Sequence, residues 1–545
     1  MNGPLEYFLY WERAAASDIA FRQPFGRTWK TWTWHQAGVE VRKIAGYLQS
    51  LSLPPHSHIA ILSKNCAEWI MADLAIMMCG HVSVPVYATL PAEAIHQILT
   101  HSEAKVVFIG KLDHYAAQRQ GVADGILKIG IGAYGVHEGV LWEEIVERQV
   151  PLEKFVGVAS DDVLTIIYTS GTTGRPKGVI HTMGSFDTTV KVSHKTVQFP
   201  GRARVISYLP LSHIAERLGI EFVGLHVGAQ FSFVEAVDTF AQNLTDTQPS
   251  YFIAVPRIWA KFQEQILKKV SQRKLDILLS IPVLSYLLKR KIREGMGLGK
   301  ASLFISGAAP LSVSILNWYH RLGITIYQVL GMTEDCVYAH FNRPGANKFG
   351  TVGKPMEGLK VKLSDEGELL VKSDCLMKGY FKEPELTAAM FDAEGYLKTG
   401  DTGVIDHEGF LTIVGRIKDQ FKTDKGKYVS PAPIELELMQ NTDIEQVCLV
   451  GMGVPQPIAL TLLSASGQAK SKEALTDSLG ASIQRVNARL ESHERINAAV
   501  ILQEEWTVEN GLMTPSLKLK RNEIEKKHLT QYPRWYHQNS VVVWA

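Results

Sequence analysis

Between residues 56 and 109 short apolar runs and helical repeats take turns, and this alternation narrows the possible folds more than any other feature of the chain. Residues 56–62 read as a strand, 66–79 as a helix, 82–86 as a strand, LPAEAIHQILTHSEA (90–104) as a helix and 105–109 as a strand. Strands separated by helices cannot pair as hairpins, so they are expected to lie parallel, joined by right-handed crossovers, in an α/β domain. Upstream, a Thr/Trp alternation passes into an amphipathic helix with Val39, Val41, Ile44, Ala45 and Leu48 on one side. Residues 113–150 have weak periodicity and support no assignment.

With 545 residues the chain exceeds one core, so two to four domains are expected. From Gly350 the composition shifts to Gly, Asp and Glu around short strands at 359–363 and 368–372, which suggests a small β subdomain. Beyond residue 416, segments 434–439, 447–450, 460–463, 475–490 and 498–502 build a small α+β domain. The expected architecture is a large N-terminal α/β domain of stacked subdomains plus a small β subdomain, followed by a small C-terminal α+β domain. A net charge of +2 argues neither for nor against nucleic acid, no RNA- or DNA-binding motif accompanies it, and no nucleic-acid partner is expected. Five widely spaced cysteines without a CxxC pair suggest reduced thiols in a cytoplasmic protein. No basic-plus-apolar leader is evident, and no run reaches the ~20 apolar residues of a membrane span.

Residues 161–182, DDVLTIIYTSGTTGRPKGVIHT, carry the clearest chemistry. An apolar, β-branched run at 163–168 reads as a buried strand, and 169–178 reads as a loop of glycines, hydroxyls and two basic residues. Glycines let backbone N–H groups converge on an anion, while Thr169, Ser170, Thr172 and Thr173 add donors and Arg175 and Lys177 add charge. A polyphosphate suits such a loop, although its spacing is not that of the Walker P-loop.

YTSGTTGRPKG resembles the phosphate loop of the adenylate-forming superfamily, which includes acyl-CoA synthetases, luciferases and peptide-synthetase adenylation domains. The resemblance extends over roughly residues 30 to 525. It implies ATP binding through Thr169, Ser170, Gly171, Thr172, Thr173, Gly174 and Lys177, and attack of a carboxylate on the α-phosphate. In the turn GAAP, Gly307, Ala308 and Ala309 match the family's adenine-binding turn. In LGMTED, Leu330, Gly331, Met332 and Thr333 match a second nucleotide turn, with Leu330 standing where an aromatic is more usual. Glu334, with Thr169, is implied to hold Mg²⁺. Asp401 in TGD matches a carboxylate that accepts the ribose hydroxyls. Arg416 and Lys418 in GRIKD match a ribose or phosphate contact and a hinge, and Lys422 reaches the nucleotide. Lys425 takes a place often held by a second glycine.

LPLSHIAER (209–217), KYVSPAPIE (427–435) and TPSLKLKR (514–521) look most like long-chain fatty acyl-CoA synthetases. That likeness implies His213 beside the acyl pocket and Lys518 as the lysine that catalyses adenylation, with Glu334 and Lys177 as further catalytic groups. The implied substrates are a fatty acid, ATP and coenzyme A. The implied domain limits are 1–415, a hinge at 416–420, and a mobile domain at 421–545. A ligase that loads a carrier protein, and an inactive relative that only binds nucleotide or lipid, remain open alternatives, as does the oligomeric state.

One stretch lies outside these motifs. Residues 275–288 are apolar-rich, interrupted by Pro282, and set between Lys268, Lys269, Arg273 and Lys274 on one side and Lys289, Arg290, Lys291 and Arg293 on the other. A buried helical hairpin with solvated basic ends is the plainer expectation. A peripheral membrane contact through residues 268–293 is the other.

Overall fold

The computed structural model describes residues 3–170, 176–508, 510–514 and 518–545, with Ser170 known by its backbone alone. Its centre is an eight-stranded sheet. The strand order is Gly379–Tyr380, Pro176–Thr182, Val163–Ser170, Val82–Val86, His58–Leu62, Val106–Ile109, Leu127–Gly130 and Val140–Leu141. The strands from Val163–Ser170 to Val140–Leu141 run parallel, as the alternation predicts. The two strands at the other edge are antiparallel.

Helix Ala67–Met78 is buried along its whole length, which explains why it is apolar on every side but for Glu68 and Asp73, themselves buried. Helix Trp34–Ser50 begins where a capping box demands it. Thr33 Oγ1 accepts from the Gln36 N–H (3.2 Å) and Gln36 Oε1 accepts from the Thr33 N–H (2.9 Å). Val41, Ile44, Ala45 and Leu48 are buried as expected, whereas Val39 stays half-exposed. The weakly periodic 113–150 segment supplies the last two strands on one side of the sheet, Leu127–Gly130 and the edge strand Val140–Leu141. Runs of four and two residues are too short to show a period.

A second, mixed sheet runs Tyr251–Ala254, Leu303–Ser306, Ile326–Leu330, His340–Phe341, Lys354–Pro355. A third joins Arg204–Ser207 and Gln230–Phe233 to the N-terminal hairpin Ile19–Phe25/Thr28–Thr33. The small β subdomain is an antiparallel sheet of Lys360–Leu363, Glu368–Lys372, Leu397–Ile405 and Leu411–Arg416. The C-terminal sheet is Ile444–Val450, Ile458–Leu463, Ala498–Ile501 and Val542–Trp544, covered by helices Pro431–Leu438 and Lys472–Asn487. Its last strand was not anticipated. All five cysteines are free, and among the described residues no helix is long and apolar enough to cross a membrane.

Two expectations need correction. The segment 169–178 is not all loop. The strand continues to Ser170 and its partner restarts at Pro176, so Thr169 pairs with Lys177 and Ser170 with Pro176. Ladder hydrogen bonds there outweigh the weak strand propensity of Pro176, Lys177 and Gly178. The hairpin of helices Gln272–Ser280 and Pro282–Gly295 is not buried either. Only Leu275 and Ser285 are buried in it, while Val283, Tyr286 and Ile277 are 71%, 68% and 57% exposed.

Candidate active site

The phosphate-loop hairpin, the turn after Ile326–Leu330 and the short strand Gly379–Tyr380 meet at one edge of the central sheet. Thr169 and Lys177 are directly opposed across an antiparallel pair, so their side chains share one face. Lys177 Nζ lies 5.6 Å from the centroid of the Tyr380 ring. Tyr380 Oη donates to Glu334 Oε1 at 2.7 Å, and the Met377 N–H donates to the Glu334 carbonyl at 2.8 Å. Glu334 is thus a buried carboxylate with one oxygen steadied and a lysine nearby. Gly171, Thr172, Thr173, Gly174 and Arg175 lie outside the described residues.

The LGMTED turn is compressed. A Cβ on Gly331 would sit 2.3 Å from Val337 Cα, because Cys336 and Val337 both take positive φ (55° and 56°) and fold the chain back over it. Asp335 Oδ1 holds the turn by accepting from the N–H groups of Met332 (2.8 Å) and Tyr338 (3.2 Å). Burial raises its pKa to about 7. Behind it, burial pushes His181 down to about 4, so the imidazole is neutral, and Nε2 donates to the Thr333 carbonyl at 2.7 Å. His181 therefore ties the phosphate-loop hairpin to the Thr333–Glu334 turn. Leu330 is half-buried and packs with Met332 against the β subdomain core.

The GAAP turn forms a neighbouring wall. Gly307 approaches Val329, where a Cβ would meet Cγ1 at 2.7 Å, and Ala308 takes φ +68°. Ala308 and Ala309 are exposed, and Gln328 anchors the turn by accepting from the Leu311 N–H at 2.8 Å.

Asp401 and Arg416 are register partners in the β subdomain, and Arg416 Nε donates to Asp401 Oδ1 at 2.7 Å. Burial raises the Asp401 pKa, opposed by Arg416 and then by Lys518. The Lys518 N–H donates to Thr514 Oγ1 (3.0 Å) and its carbonyl accepts from the Thr514 N–H (2.8 Å). Part of its side chain meets solvent, but its ammonium is crowded by protein and by Arg416, which lower its pKa, while Asp401 and Glu334 pull it back up. His213 is within reach of the same charge. Burial, then Lys518, push its pKa down to about 4. It caps its own helix, Nδ1 accepting from the Ala215 N–H at 3.1 Å.

The structure thus gathers Glu334, Asp401, Arg416, Lys518 and His213 in one electrostatic neighbourhood, with Lys177 joined to Glu334 through Tyr380. It does not bring in Lys418 or Lys422. Lys418 is exposed in the single turn Ile417–Asp419, and Lys422 Nζ lies over Tyr428 at 5.6 Å. The C-terminal residues meet the rest of the chain where helix Pro431–Leu438 packs on strand Leu411–Arg416 and at an exposed Arg257–Glu445 ion pair.

Residues 11–381 match the family described as AMP-binding enzyme, and residues 418–540 match its C-terminal domain. The chain belongs to the AMP-binding enzyme family. Its large α/β domain and smaller C-terminal domain are those of adenylate-forming enzymes. It is 28% identical to a long-chain-fatty-acid–CoA ligase, FadD15, of Mycobacterium bovis over 97% of this chain and 96% of that protein. It is 31% identical to a putative fatty-acid–CoA ligase, fadD11, of Mycobacterium tuberculosis over 70% of this chain and 74% of that one. The anthranilate CoA ligase AuaEII, solved with anthranoyl-AMP, superposes with a TM-score of 0.79 at 20% identity, over 96% of this chain and 97% of that one.

Tyr380 and His181 were missed in the sequence. Neither belongs to a phosphate or nucleotide motif, and only the long-range pairing of Tyr380 with Val179 brings it to Glu334. Tyr380→Phe is expected to lower acyl-adenylate formation about tenfold, the scale of one hydrogen bond to a charged group. On the expectation that Glu334 holds Mg²⁺, it should also raise the Mg²⁺ concentration needed for half-maximal rate, because Glu334 loses its steadying donor. Pyrophosphate release measured across a Mg²⁺ titration checks both. An unchanged titration would mean that Glu334 does not depend on Tyr380.

Proposed function

We propose that this enzyme activates a long-chain fatty acid with ATP and transfers the acyl group to coenzyme A. The observation that carries the reading is Lys518 of the C-terminal domain, whose ammonium feels the charges of Glu334 and Asp401 in the preceding domain and of Arg416 at the junction. The names of the relatives support the acyl class.

In the first step a carboxylate oxygen of the fatty acid attacks the α-phosphorus, and the bond to the bridging oxygen breaks. Pyrophosphate leaves with that electron pair and acyl-adenylate remains. Two anions approach each other, so positive charge and orientation supply most of the acceleration. Lys177, Ser170 and the backbone of residues 171–174 would cradle the phosphates, and Lys518 would stabilise charge developing between carboxylate and α-phosphate. Gly307 to Ala309 and Leu330 to Met332 would face adenine. Asp401, whose second carboxylate oxygen has no hydrogen-bond partner among the described residues, would take the ribose hydroxyls beside Arg416.

One carboxylate and one hydroxyl, Glu334 and Thr169, fit a hard cation that draws its remaining ligands from phosphate and water. Mg²⁺ held there would neutralise phosphate charge. In the second step the coenzyme A thiolate attacks the acyl carbon and AMP leaves. Residues 416–420 would act as the hinge between the two steps, turning Lys518 away and Lys422 inward, with 1–415 and 421–545 as the moving bodies. His213, neutral and beside Lys518, would wall the acyl end. A fatty acid is already ionised at neutral pH, so no base is needed.

Release of AMP and pyrophosphate by the purified protein, with long- and short-chain acids and with or without coenzyme A, tests the proposal. Long-chain-dependent release accelerated by coenzyme A, with acyl-CoA as product, is the expected result. Acyl-adenylate that forms but is insensitive to coenzyme A would point to a carrier protein as acceptor. No release with any acid would leave a nucleotide- or lipid-binding protein.

A further inference from the structure

The helical hairpin 272–295 combines two features that soluble surfaces normally keep apart. Its tip, where helix Gln272–Ser280 turns at Ile281 into helix Pro282–Gly295, exposes Ile277, Ile281, Val283, Leu284, Tyr286 and Leu287 to between 41% and 71%. A cluster of large apolar side chains on one protrusion is the kind of surface that marks an interaction site. The opposite face of the hairpin is fastened to the protein. Leu275 is buried, Leu279, Leu288 and Ile292 pack against the core around Trp259, Phe304 and Leu316, and Trp318 Nε1 donates to Gln272 Oε1 at 2.9 Å. The exposed face is therefore a held surface and not a frayed end.

Charge is layered behind the tip. In helix Gln272–Ser280, Arg273 and Lys274 lie one turn before Ile277, and in helix Pro282–Gly295, Arg290 and Lys291 lie one turn after Tyr286 and Leu287. Residues three or four apart share a helix face. Both helices thus present an apolar end at the tip and basic residues on the same side, ~5 Å further back at one helical turn. Arg273, Lys274, Arg290 and Lys291 are all exposed.

Between 268 and 293 there are eight basic residues and one acidic one, Asp276, in a chain whose whole net charge is +2. Asp276 is already engaged by Arg321 at 2.6 Å, and Arg290 shares an exposed pair with Glu294 at 2.8 Å, which solvent weakens.

We infer that this hairpin docks the enzyme on an anionic lipid surface, the apolar tip entering the headgroup–acyl boundary and the basic collar meeting lipid phosphates. The depth order is what such a boundary requires: apolar side chains deepest, a tyrosine at the interface, and long basic side chains reaching back to the phosphates. A second copy of the chain fits less well, because two identical basic collars would face each other across the joined tips. The inference stands on this surface and not on the proposed reaction.

The test is co-sedimentation of the full chain with phosphatidylcholine vesicles and with vesicles containing phosphatidylglycerol, at about 50 mM and about 500 mM salt. The parent should bind the anionic vesicles at low salt and lose most of that binding at high salt. Ile277→Ser, Val283→Ser, Tyr286→Ser and Leu287→Ser together should weaken binding at least tenfold. Arg273→Gln, Lys274→Gln, Arg290→Gln and Lys291→Gln together should do so on anionic vesicles and flatten the salt dependence. Both variants replace exposed residues, and thermal midpoints equal to the parent's establish that they fold. A parent that ignores anionic vesicles at low salt overturns the inference, as does binding that survives both sets of changes. Lipid-free self-association, removed by the tip changes and seen by sedimentation velocity, would assign the face to a second copy instead.

Discussion

Lys518→Ala is expected to reduce acyl-adenylate formation by ~10²-fold or more, the cost of losing one preorganised electrostatic donor in a transition state. Thioester formation from supplied acyl-adenylate should be affected far less. The asymmetry follows from where the side chain sits. Its ammonium interacts with Asp401, Glu334 and Arg416, the residues proposed above to surround the nucleotide, so on that proposal its charge is available when carboxylate meets α-phosphate. The second step expels AMP and creates no such meeting of anions.

The same residue sets a pH limit. Crowding by protein and by Arg416 lowers its pKa below that of an ordinary lysine, and the protonated form is the useful one. Adenylation should therefore fall as pH rises through that lowered value, at a lower pH than a solvated lysine would give, and the alanine variant should lack that limb. Rapid-quench measurement of the two half-reactions across pH checks both statements, and equal losses in both would remove Lys518 from its role. Lys418→Pro should fail in the opposite sense. A fixed φ in the turn Ile417–Asp419 would hinder rotation and spare adenylation.

The second large effect lies in the core. Arg217 is fully buried and bound to Asp73 (2.6 and 2.7 Å), Ser83 Oγ (2.8 Å) and Thr165 Oγ1 (2.6 Å), with Glu221 Oε2 3.5 Å from its Nε. One cation thus faces two carboxyl groups. Burial, followed by the neighbouring Asp73, raises the Glu221 pKa well above the usual carboxylate range, and Arg217 pulls it back down. Arg217→Met removes the cation from this buried carboxyl cluster, and breaking a buried pair this way costs about 3–5 kcal/mol.

The expected readout is a thermal midpoint for the large domain lower by several degrees. Part of the loss should return when Asp73→Asn is added. A midpoint unchanged in Arg217→Met would show that the cluster contributes little. Activity should suffer too, because Thr165 lies in the strand that leads to the phosphate loop and Arg217 begins the π-helical turn Arg217–Phe222, just after His213.

The parallel sheet and the crowded turns at GAAP and LGMTED were legible in the sequence because both are local. A strand–helix alternation needs only the neighbouring residues to declare it, and GAAP and LGMTED carry their small residues at the points where the backbone crowds itself, as Gly331 against Val337 demonstrates. The carboxylates and lysines of the site were also visible as residue types within motifs.

What only the tertiary structure decided depends on pairings across hundreds of residues. Tyr380 reaches Glu334 because Gly379–Tyr380 adds to the edge of a sheet begun near residue 58. Lys518 reaches Asp401 because a whole domain folds over the small β sheet. The fate of 275–288 was open for the same reason. An apolar helical stripe states that a face avoids water, but whether protein covers that face depends on how many neighbours the fold supplies. Here the fold covers Leu275 and leaves Val283 and Tyr286 outside.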